Sequence, residues 1–522
     1  MGDVAKFKAK RLGLASGNPL VVVLDDDDAF ALGVRRGSRV LVRPRGTGGY
    51  PAPRGVLAVV DVATAPMVVE GGEVGLYDEV ADKLESLVEE PVDGALVDVG
   101  LANKPPSFDA IRRKVAGKAL AAEEITRLVT DAKAGNLLPV EIAAFVTAVQ
   151  IHGANVDEIV QFCLELAHSG DVLDFGPEVY DKHSTGGVPG NKVSLVIVPI
   201  VAAAGLFIPK TSTRAITSPS GTADSMEVFA PVAFDKGRVV ELLKRTGSGI
   251  FWGGSMDLAP ADRAFLEVEK ALGMDPRGLM IASILAQKLA LGVKKLVLDV
   301  PCGRGTKFPT VDDGRKYALL FKEVAARVGV EATCLLTSAQ QPIGHAVGPA
   351  LEAREALTLL CDPEGPGSSS SLRNKSCELA GALLEMAGKA PAGGGKVLAR
   401  ELLSSGAAHE AFRKIVANQG GDPDVTPEKV KVGPHVCEVV APEDGFVTGV
   451  LNERVSQVAR LAGCPAAKGA GVELVHKVGH SVRKGDVTLR VYSESEERLR
   501  EAVAHAVAKP PHVLGGMTIE KV

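Results

Sequence analysis

The sequence predicts a multidomain α/β protein, and three patterns along the chain indicate this fold class. Residues 1–102 contain short β-branched runs separated by Gly and Pro, which are typical of strands joined by turns. Between residues 108 and 169 the apolar positions recur at helical spacing. From residue 294 onward, strand-like apolar runs alternate with helical segments, as in parallel β-α-β units. We therefore expect a small β-rich N-terminal domain, a helical domain, a large mostly parallel α/β domain and a C-terminal α/β domain.

The composition excludes several function classes. The chain has 522 residues, 46% of them hydrophobic, and a net charge of −5, which predicts a folded protein of several domains. It has no block of basic residues, so we do not expect a nucleic acid partner. Seven scattered cysteines without a C-x-x-C pair indicate reduced thiols in a cytoplasmic protein, with neither a disulfide framework nor a metal site.

No targeting or membrane segment is expected. Residues 1–14 lack the sustained apolar core of a signal peptide. The best membrane candidate, residues 193–208, falls short of the roughly 20 residues that a spanning helix needs and contains Pro199. We expect a buried helix in this segment and no membrane partner.

In the N-terminal domain, strands are predicted at residues 21–24, 39–42 and 56–60. Residues 25–28 are four consecutive aspartates, which could indicate a cation site. A solvated helix start is the more typical interpretation, because acidic groups favour the positive end of the helix dipole. No residue here indicates chemistry, so we expect a role in assembly, gating or regulation.

Helical spacing then predicts three helices with apolar faces at residues 125–132, 142–149 and 159–166. Gly135 and Gly153 mark the ends of the first two.

The α/β part contains predicted strands at residues 296–300 and 332–336. Helices are predicted at residues 317–328, 350–360 and 375–386. A polar linker at residues 426–433 leads to the last domain, which contains a predicted charged helix at residues 493–508.

The most informative stretch is residues 181–227, which contains two loops rich in glycine and hydroxyl residues, at 182–187 and 212–222. Glycine allows backbone N–H groups to turn toward a bound anion without a Cβ in the way. Hydroxyl groups and the planar fork of Arg214 can surround a tetrahedral oxyanion. Two such loops could hold two anions, or one anion and a sugar.

This stretch resembles the signature region of the thymidine and pyrimidine-nucleoside phosphorylases. The residues that fit the signature are Ser212, Arg214, Ala215, Ile216, Gly221, Thr222, Asp224 and Glu227. Thr213, Pro219 and Ser220 depart from it, and residues 188–192 form a segment one residue longer than its counterpart. These departures are similar to those of the archaeal AMP phosphorylases, and the resemblance extends from about residue 107 to the C-terminus. The first hundred residues resemble the additional N-terminal domain of that branch.

The resemblance implies a division of the chain into four domains. These are the N-terminal domain at 1–102, the helical domain at 103–176 plus 260–293, the phosphate-binding α/β domain at 177–259 plus 294–427, and the C-terminal domain at 428–522. It also implies that residues 261–291 return to the helical domain as a helix. The family places its active site between the helical and α/β domains, so we expect the loop at 171–176 to act as a hinge.

The resemblance also implies roles for individual residues. Inorganic phosphate is expected to bind at Lys182, Ser184, Ser194, Ser212 and Thr222. AMP is expected to bind at Gly187, Thr213, Arg214, Ala215, Ile216, Thr217, Ser218, Thr222, Ser283 and Lys307. His183 and Gln287 are candidates for further contacts with the base, and a structural hydrogen-bonding role is an alternative for His183. Lys307 follows a strand end, where ligands of open α/β sheets gather, although a solvated lysine would also fit there.

Asp275 is the candidate proton donor, because the segment 274–278 is similar to the one that carries the donor in AMP phosphorylases. An aspartate in water titrates near 4, so a donor at neutral pH must be kept protonated by desolvation or by a nearby anion. From the residues alone, Asp275 could equally cap a helix that begins at Pro276.

Base preference is expected to differ from that of the nucleoside phosphorylases, which contact a pyrimidine through an Arg, a Ser and a Lys. Ser283 retains the serine, but Val268 and Gln287 take the positions of the two cations. The loss of these cations removes the pyrimidine contacts and leaves room for a purine.

The implied reaction is AMP plus phosphate giving adenine plus ribose 1,5-bisphosphate, with CMP and UMP as further substrates. Inorganic phosphate is the co-substrate, and no other cofactor or metal is expected. The resemblance also implies a homodimer or a larger homo-oligomer.

Three alternatives remain open at this point. One is a pyrimidine-nucleoside phosphorylase, and another is a noncatalytic scaffold with a vestigial cleft. A more distant one is a phosphoribosyltransferase, which would require Mg²⁺.

Overall fold

The computed structural model of the chain describes residues 4–17, 19–45, 55–65, 67–215 and 218–516. The predicted fold class is confirmed, because the described residues form a β-rich N-terminal part, a set of helices, parallel sheets and an α/β C-terminal part. The chain divides into two compact units, Met1–Gly170 with Ala259–Ala286 and Asp171–Leu258 with Gln287–Val522. The four boundaries expected from the sequence remain a prediction, since this division is coarser.

The N-terminal part of the first unit is a β-barrel. Its elements are β1 Val4–Arg11, β2 Val21–Asp25, α1 Asp26–Ala31, β3 Arg39–Pro44, β4 Val56–Ala63, β5 Glu73–Leu76, α2 Asp78–Val88 and β6 Leu96–Leu101. The described strands close in the order β1-β5-β2-β4-β3-β6, with β1 parallel to β5 and antiparallel to β6. The barrel interior is filled by β-branched and leucine side chains such as Val22, Leu24 and Val40. The run of aspartates starts α1, because the Asp25 side chain accepts a hydrogen bond from the backbone N–H of Asp27.

Helices form the rest of the first unit. Four of them follow the barrel: α3 Ser107–Val115, α4 Ala122–Ala134, α5 Pro139–His152 and α6 Val156–His168. The apolar faces of α4, α5 and α6 are buried as the helical spacing predicts. The barrel is fixed to α5 by a buried ion pair between Arg39 and Glu141.

The second unit begins with the segment that carries both glycine-rich loops. Its elements are β7 Val179–Ser184, α7 Ser194–Ala203, β8 Ile208–Ser212, α8 Thr222–Met226, α9 Lys236–Thr246 and β9 Ser248–Trp252. A buried helix was expected at residues 193–208, and α7 is buried from Ser194 to Val201, including Pro199. It is shorter than expected, because it ends at Ala203 and β8 begins at Ile208. Strands β8 and β9 pair in parallel, and Val179 forms a parallel bridge with Phe207.

The chain then returns to the helices of the first unit through α10 Asp262–Leu272 and α11 Arg277–Ala290. The aromatic rings of Phe145, Phe162 and Phe265 pack together there, with centroids 5.4 to 6.1 Å apart. The sequence-based expectation of one helix over residues 261–291 is wrong. Gly273 adopts a left-handed φ of 62°, and Pro276 cannot donate a backbone hydrogen bond, so the helix ends and a second one starts.

A parallel three-stranded sheet forms the centre of the second unit. The elements that follow α11 are β10 Val293–Cys302, α12 Val311–Arg327, β11 Glu331–Ser338, β12 Ala346–Val347, α13 Pro349–Cys361, α14 Ser370–Met386, α15 Gly395–Ser404 and α16 Ala407–Asn418. The strand order is β11-β10-β7, and both pairings are parallel. This order brings the end of β7, where the first loop starts, next to the end of β10.

The last part of the chain is also α/β. Its elements are β13 His435–Val440, β14 Gly445–Val450, α17 Asn452–Leu461, β15 Gly471–Leu474, β16 Ser481–Val482, β17 Val487–Ser493, α18 Glu496–Ala508 and β18 His512–Gly515. The described strands form two sheets, β12-β15-β17-β13 and β16-β14-β18. The helix expected at residues 493–508 begins later, because Ser493 ends β17 and Ser495 caps α18.

The described helices can be set against the dimensions of a lipid bilayer. None of them combines the length and the hydrophobicity needed to cross one.

Candidate active site

The first glycine-rich loop leaves the C-terminal end of β7 and requires glycine at two positions. Gly186 and Gly187 have φ values of 81° and 85°, a region that side chains disfavour. A Cβ on Gly187 would lie 3.3 Å from the backbone nitrogen of Lys307, whereas one on Gly186 would meet open space. The loop that carries Lys307 therefore approaches the first loop closely, as the shared position of the two strand ends allows.

Ser184, a predicted phosphate ligand, is held in a hydrogen-bond network. Its Oγ donates to Asp299 Oδ2 at 2.9 Å and accepts from Asn191 Nδ2 at 3.0 Å. Lys375 Nζ lies 3.0 Å from the same Asp299 oxygen, and Thr337 Oγ1 donates to the other oxygen at 2.6 Å. Burial alone would raise the pKa of Asp299, but Lys375 and Lys182 hold the pKa below its ordinary value.

A second buried network surrounds Asp181, at the other side of the same strand. Lys288 Nζ lies 2.7 Å from Asp181 Oδ2, and Lys210 Nζ lies 3.8 Å from Oδ1. Asp181, Lys210 and Lys288 are all almost completely buried. Lys182, the next residue on β7, is buried as well.

The two networks contain more positive than negative charge. Lys182, Lys210, Lys288 and Lys375 are four cationic groups, and Asp181 and Asp299 are two anionic ones, so full ionisation leaves a surplus of two positive charges. Burial lowers the pKa of Lys182 to about 8 and that of Lys210 to about 7. Asp299 and Asp181 oppose this effect, and the neighbouring lysines add to it. An anion bound next to these lysines would favour their charged forms.

Lys210, Lys288, Lys375, Asp181 and Asp299 were not predicted as site residues. Asp181 and Lys210 lie in the signature stretch but outside its two loops, and the other three lie in apolar or mixed segments without a local motif. The signal that could have found them is a charged residue at a core position of a buried element, since such groups are rarely buried without a partner.

His183 lies between the two networks on β7. Burial and the nearby lysines, with Lys288 and Lys210 foremost, hold the pKa of His183 well below its ordinary value. The ring is therefore neutral at neutral pH. Within the described residues its buried Nδ1 has no hydrogen-bond partner, so the predicted choice between a base contact and a structural hydrogen bond stays open at that atom.

Asp224 closes the second loop. Its Oδ2 accepts from the backbone N–H of Ala215 at 2.7 Å and of Gly221 at 2.9 Å. A Cβ on Gly221 would lie 2.5 Å from the carbonyl oxygen of Thr213, so only glycine fits at the turn. These contacts bring the two ends of the loop together.

Arg214 forms ion pairs with Asp224 on α8 and with Glu227, the residue that follows α8. Its guanidinium donates to both oxygens of Glu227 at 2.7 Å, lies 3.3 Å from Asp224 Oδ1 and stacks 4.9 Å from the Trp252 ring centroid. Hydrogen bonding by Arg214 and then Lys468 lowers the pKa of Glu227 to about 2. Arg214 thus fixes the shape of the loop, and its role as a direct AMP contact stays a prediction.

The other predicted residues of the second unit lie along the same loops. Ser194 is buried at the first position of α7, and Thr222 begins α8. The hydroxyls of Ser212 and Ser218 donate to carbonyl oxygens within the second loop, at 3.3 and 2.7 Å, and Thr213 is exposed. Ile216 and Thr217 lie outside the described residues.

The first loop, the second loop and the loop that carries Lys307 line one cavity of about 390 Å³ within the second unit. The loops contribute Gly187, Ser218 and Gly305, the last being two residues before Lys307. This volume is in the range of small-molecule sites. The opposite wall is formed by α17.

The remaining predicted residues lie on α11 or just before it. Asp275 is an exposed residue of the short segment that separates α10 from α11. Ser283 is buried on α11, and its Oγ donates to Asp262 Oδ2 on α10 at 2.6 Å. Gln287 follows one turn later and is partly exposed. Ser283 therefore links two helices, and its predicted AMP contact stays a prediction.

A metal site would require several ligating side chains close together. Among the described residues, no group of three or more His, Cys, Asp or Glu side chains could hold a metal ion.

Family models match three parts of the chain. They are described as the helical bundle domain of a glycosyl transferase family, at residues 108–170, the a/b domain of that family, at 176–409, and the pyrimidine nucleoside phosphorylase C-terminal domain, at 446–510. A solved structure of anthranilate phosphoribosyltransferase from Thermus thermophilus has the same fold, with a TM-score of 0.51 and 23% identity over 60% of this chain and 99% of that one. The fold and these matches define the class as a glycosyl transferase.

Curated relatives match almost the whole chain. It is 45% identical to the AMP phosphorylase of Hyperthermus butylicus, over 92% of both chains, and 41% identical to the AMP phosphorylase of Thermococcus kodakarensis, over 99% of both. It is also 43% identical to AMP phosphorylase 1 of Archaeoglobus fulgidus, over 98% of both. The chain belongs to the AMP phosphorylase family.

Proposed function

We propose that the protein catalyses the phosphorolysis of AMP, in which AMP and inorganic phosphate give adenine and ribose 1,5-bisphosphate. The observation that carries this proposal is the cluster of four buried lysines, with only two aspartates among them, next to the first loop. An enzyme that uses phosphate as co-substrate needs such a site to hold a dianion in place. Family membership supports the choice of AMP as the nucleotide.

Inorganic phosphate is assigned to Lys182, Ser184, Ser194, Ser212 and Thr222, with Lys375 and Asp299 positioning Ser184. One phosphate oxygen attacks the anomeric carbon of ribose, forming the new C–O bond as the bond from that carbon to the base nitrogen breaks. Positive charge develops on the ribose in this step, and the phosphate next to it stabilises that charge electrostatically. The lysines compensate the charge of the phosphate before the reaction.

The departing adenine takes a proton on a ring nitrogen, and Asp275 is assigned as the donor. Asp275 is an exposed residue in the structure, so the burial that this role requires has to come with the bound substrate. Protonation of the leaving base by a positioned acid contributes about 10²- to 10⁴-fold to the rate.

The nucleotide itself is assigned to Gly187, Thr213, Arg214, Ala215, Ile216, Thr217, Ser218, Thr222, Ser283 and Lys307. His183 and Gln287 are assigned to contacts with the base. CMP and UMP are further candidate substrates. Assembly as a homodimer or a larger homo-oligomer, a cytoplasmic location and the lack of a metal or other cofactor stay predictions from the sequence.

The test is to follow adenine and ribose 1,5-bisphosphate after mixing the protein with AMP, with and without inorganic phosphate and with EDTA present. We expect both products only when phosphate is present, and a lower kcat/KM with adenosine, thymidine or uridine. A preference for the unphosphorylated compounds would instead favour a pyrimidine-nucleoside phosphorylase. Loss of turnover in EDTA would favour a phosphoribosyltransferase, and no turnover of any of these compounds would favour the noncatalytic scaffold.

A further inference from the structure

Helix α17 has a polar face that lines the 390 Å³ cavity. Its apolar residues Val455, Val458 and Ala459 are buried in the core of the C-terminal part. The residues of α17 that line the 390 Å³ cavity are Asn452, Glu453, Ser456, Gln457 and Arg460. Their spacing of one, three and four residues places them on one side of the helix. A continuous polar side of α17 therefore forms a wall of the cavity.

The facing wall consists of the loops already assigned to the nucleotide. Gly187, Ser218 and Gly305 line it, and a Cβ on Gly305 would lie 3.5 Å from Glu453 Oε1. Gly305 has a φ of 76°, and the loop that contains it approaches α17 closely. The cavity thus joins the C-terminal part of the chain to the candidate active site within the second unit.

The α17 side chains differ in charge along the helix. Glu453 and Arg460 are seven residues apart, which separates their Cα atoms by about 10 Å along the axis. The carboxylate at one end disfavours an anion there, and the positive charge of the guanidinium at the other end attracts a phosphate. Ser456 and Gln457 add neutral donors between them.

Asn452 gives a second indication that a polar ligand enters. It is buried, and its Nδ2 donates to the carbonyl oxygen of Ala339 at 2.8 Å. Within the described part of the chain its Oδ1 has no hydrogen-bond partner. Buried polar atoms are nearly always satisfied, so a water molecule or a hydroxyl group of a ligand is expected at this oxygen.

We propose that α17 binds the sugar-phosphate end of the nucleotide, with Arg460 and Ser456 as ligands of the 5′-phosphate. This inference rests on the proposed function, in which the attacking phosphate lies at the buried lysines and AMP lies along the loops that contribute Gly187 and Ser218. The cavity that these loops share with α17 is then available to the sugar-phosphate end of AMP. Arg460 accordingly sets the preference for a nucleotide over a nucleoside.

The test is the Arg460→Met variant, with Arg460→Lys as the conservative change. Arg454 is the matched control, because it lies on the same helix but donates to the carbonyl oxygen of Pro510 at 2.8 Å, and it does not line the cavity. We expect Arg460→Met to raise the KM for AMP by about 10- to 100-fold, as expected for a lost charged hydrogen bond, with the KM for inorganic phosphate within about twofold. Arg460→Lys is expected to restore part of the affinity, and Arg454→Met to behave like the wild type.

Two further measurements separate the outcomes. Calorimetric titration with AMP and with adenosine should show that Arg460→Met loses affinity for AMP only, and thermal melting checks the fold of each variant. An unchanged KM for AMP in Arg460→Met, or an equal loss in Arg454→Met, would overturn the role of α17. If the wild type itself releases no adenine from AMP, then the proposed function has failed, and AMP binding that still depends on Arg460 would show that the α17 site stands without it.

Discussion

Asp275, the proposed proton donor, is the residue whose substitution tests the chemistry most directly. It lies outside both helices that flank it, whereas Ser283 is fixed within α11 by its hydrogen bond to α10. We expect Asp275→Asn to lower kcat for adenine release by at least about 100-fold, because an amide cannot supply the proton, while AMP affinity changes less than about threefold. Adenine release under saturating phosphate measures kcat, and calorimetry measures the affinity.

Glu267→Gln is the matched control for this variant, since Glu267 is an exposed carboxylate on α10. It should keep the kcat of the wild type. Turnover by Asp275→Asn at a rate close to that of the control would mean that another group protonates the base.

Among individual residues, those within a sequence motif could be predicted, whereas their contact partners from distant parts of the chain could not. Lys182 and Ser184 were predicted because they stand in a glycine-rich loop. Asp299 on β10 contacts Ser184 directly, and Lys375 on α14 contacts Asp299. Both residues are more than a hundred positions away from Ser184 in the sequence. The order of the strands brings Asp299 to Ser184, and the packing of α14 against β10 brings Lys375 to both.

The backbone of the first loop can be tested for its close approach to the loop that carries Lys307. Gly187→Ala and Gly186→Ala introduce the same left-handed strain, about 1–2 kcal/mol, but only the first places a methyl group 3.3 Å from the backbone nitrogen of Lys307. We expect Gly187→Ala to raise the KM for AMP by at least about tenfold more than Gly186→Ala does. Equal KM values, determined from initial rates at fixed phosphate, would show that the loop of Lys307 does not need to approach this closely.

The buried lysines on β7, β8 and α11 predict a link between anion binding and protonation. The pKa of Lys182 is lowered to about 8 and that of Lys210 to about 7, so these groups are partly neutral at pH 8. A bound dianion favours the charged ammonium and raises its pKa, so binding should take up protons at pH 8 and the anion affinity should fall as pH rises through 7 to 8. Sulfate is the suitable probe, because it does not itself titrate in this range.

The measurement is calorimetry of sulfate binding in buffers of different ionisation enthalpy, between pH 6 and 9. Lys182→Met should show less proton uptake than the wild type, and Lys244→Met, which alters an exposed lysine of α9, should show the same uptake. Binding without any proton exchange across this range would contradict the assignment of the anion to these lysines.

Element boundaries show where local patterns are sufficient. The apolar spacing within α4, α5 and α6 predicted the faces that are buried. The segment at 261–291 was expected as one helix because of the family resemblance, and not because of its apolar spacing. Gly273 and Pro276, which interrupt the helix, are visible in the sequence. Asp275 lies between them, in the short segment that separates α10 from α11.

At the scale of the whole molecule, the fold class could be predicted because long segments carry one kind of periodicity each. The closure of the N-terminal barrel could not, since β1 pairs with both β5 and β6 through contacts that no local pattern encodes. The role of α17 was hidden for a similar reason. Its polar side has the pattern of an ordinary surface helix, and only its position beside Gly187, Ser218 and Gly305 gives it a cavity to line.

The central claim is that each subunit holds two phosphorus-bearing groups at once, the 5′-phosphate of AMP and the attacking phosphate. The direct test is calorimetry on the Asp275→Asn variant, which is first saturated with AMP and then titrated with inorganic phosphate. The account predicts that one phosphate per subunit still binds after AMP is in place. If saturation with AMP abolishes phosphate binding, the two groups compete for one site and the account is contradicted.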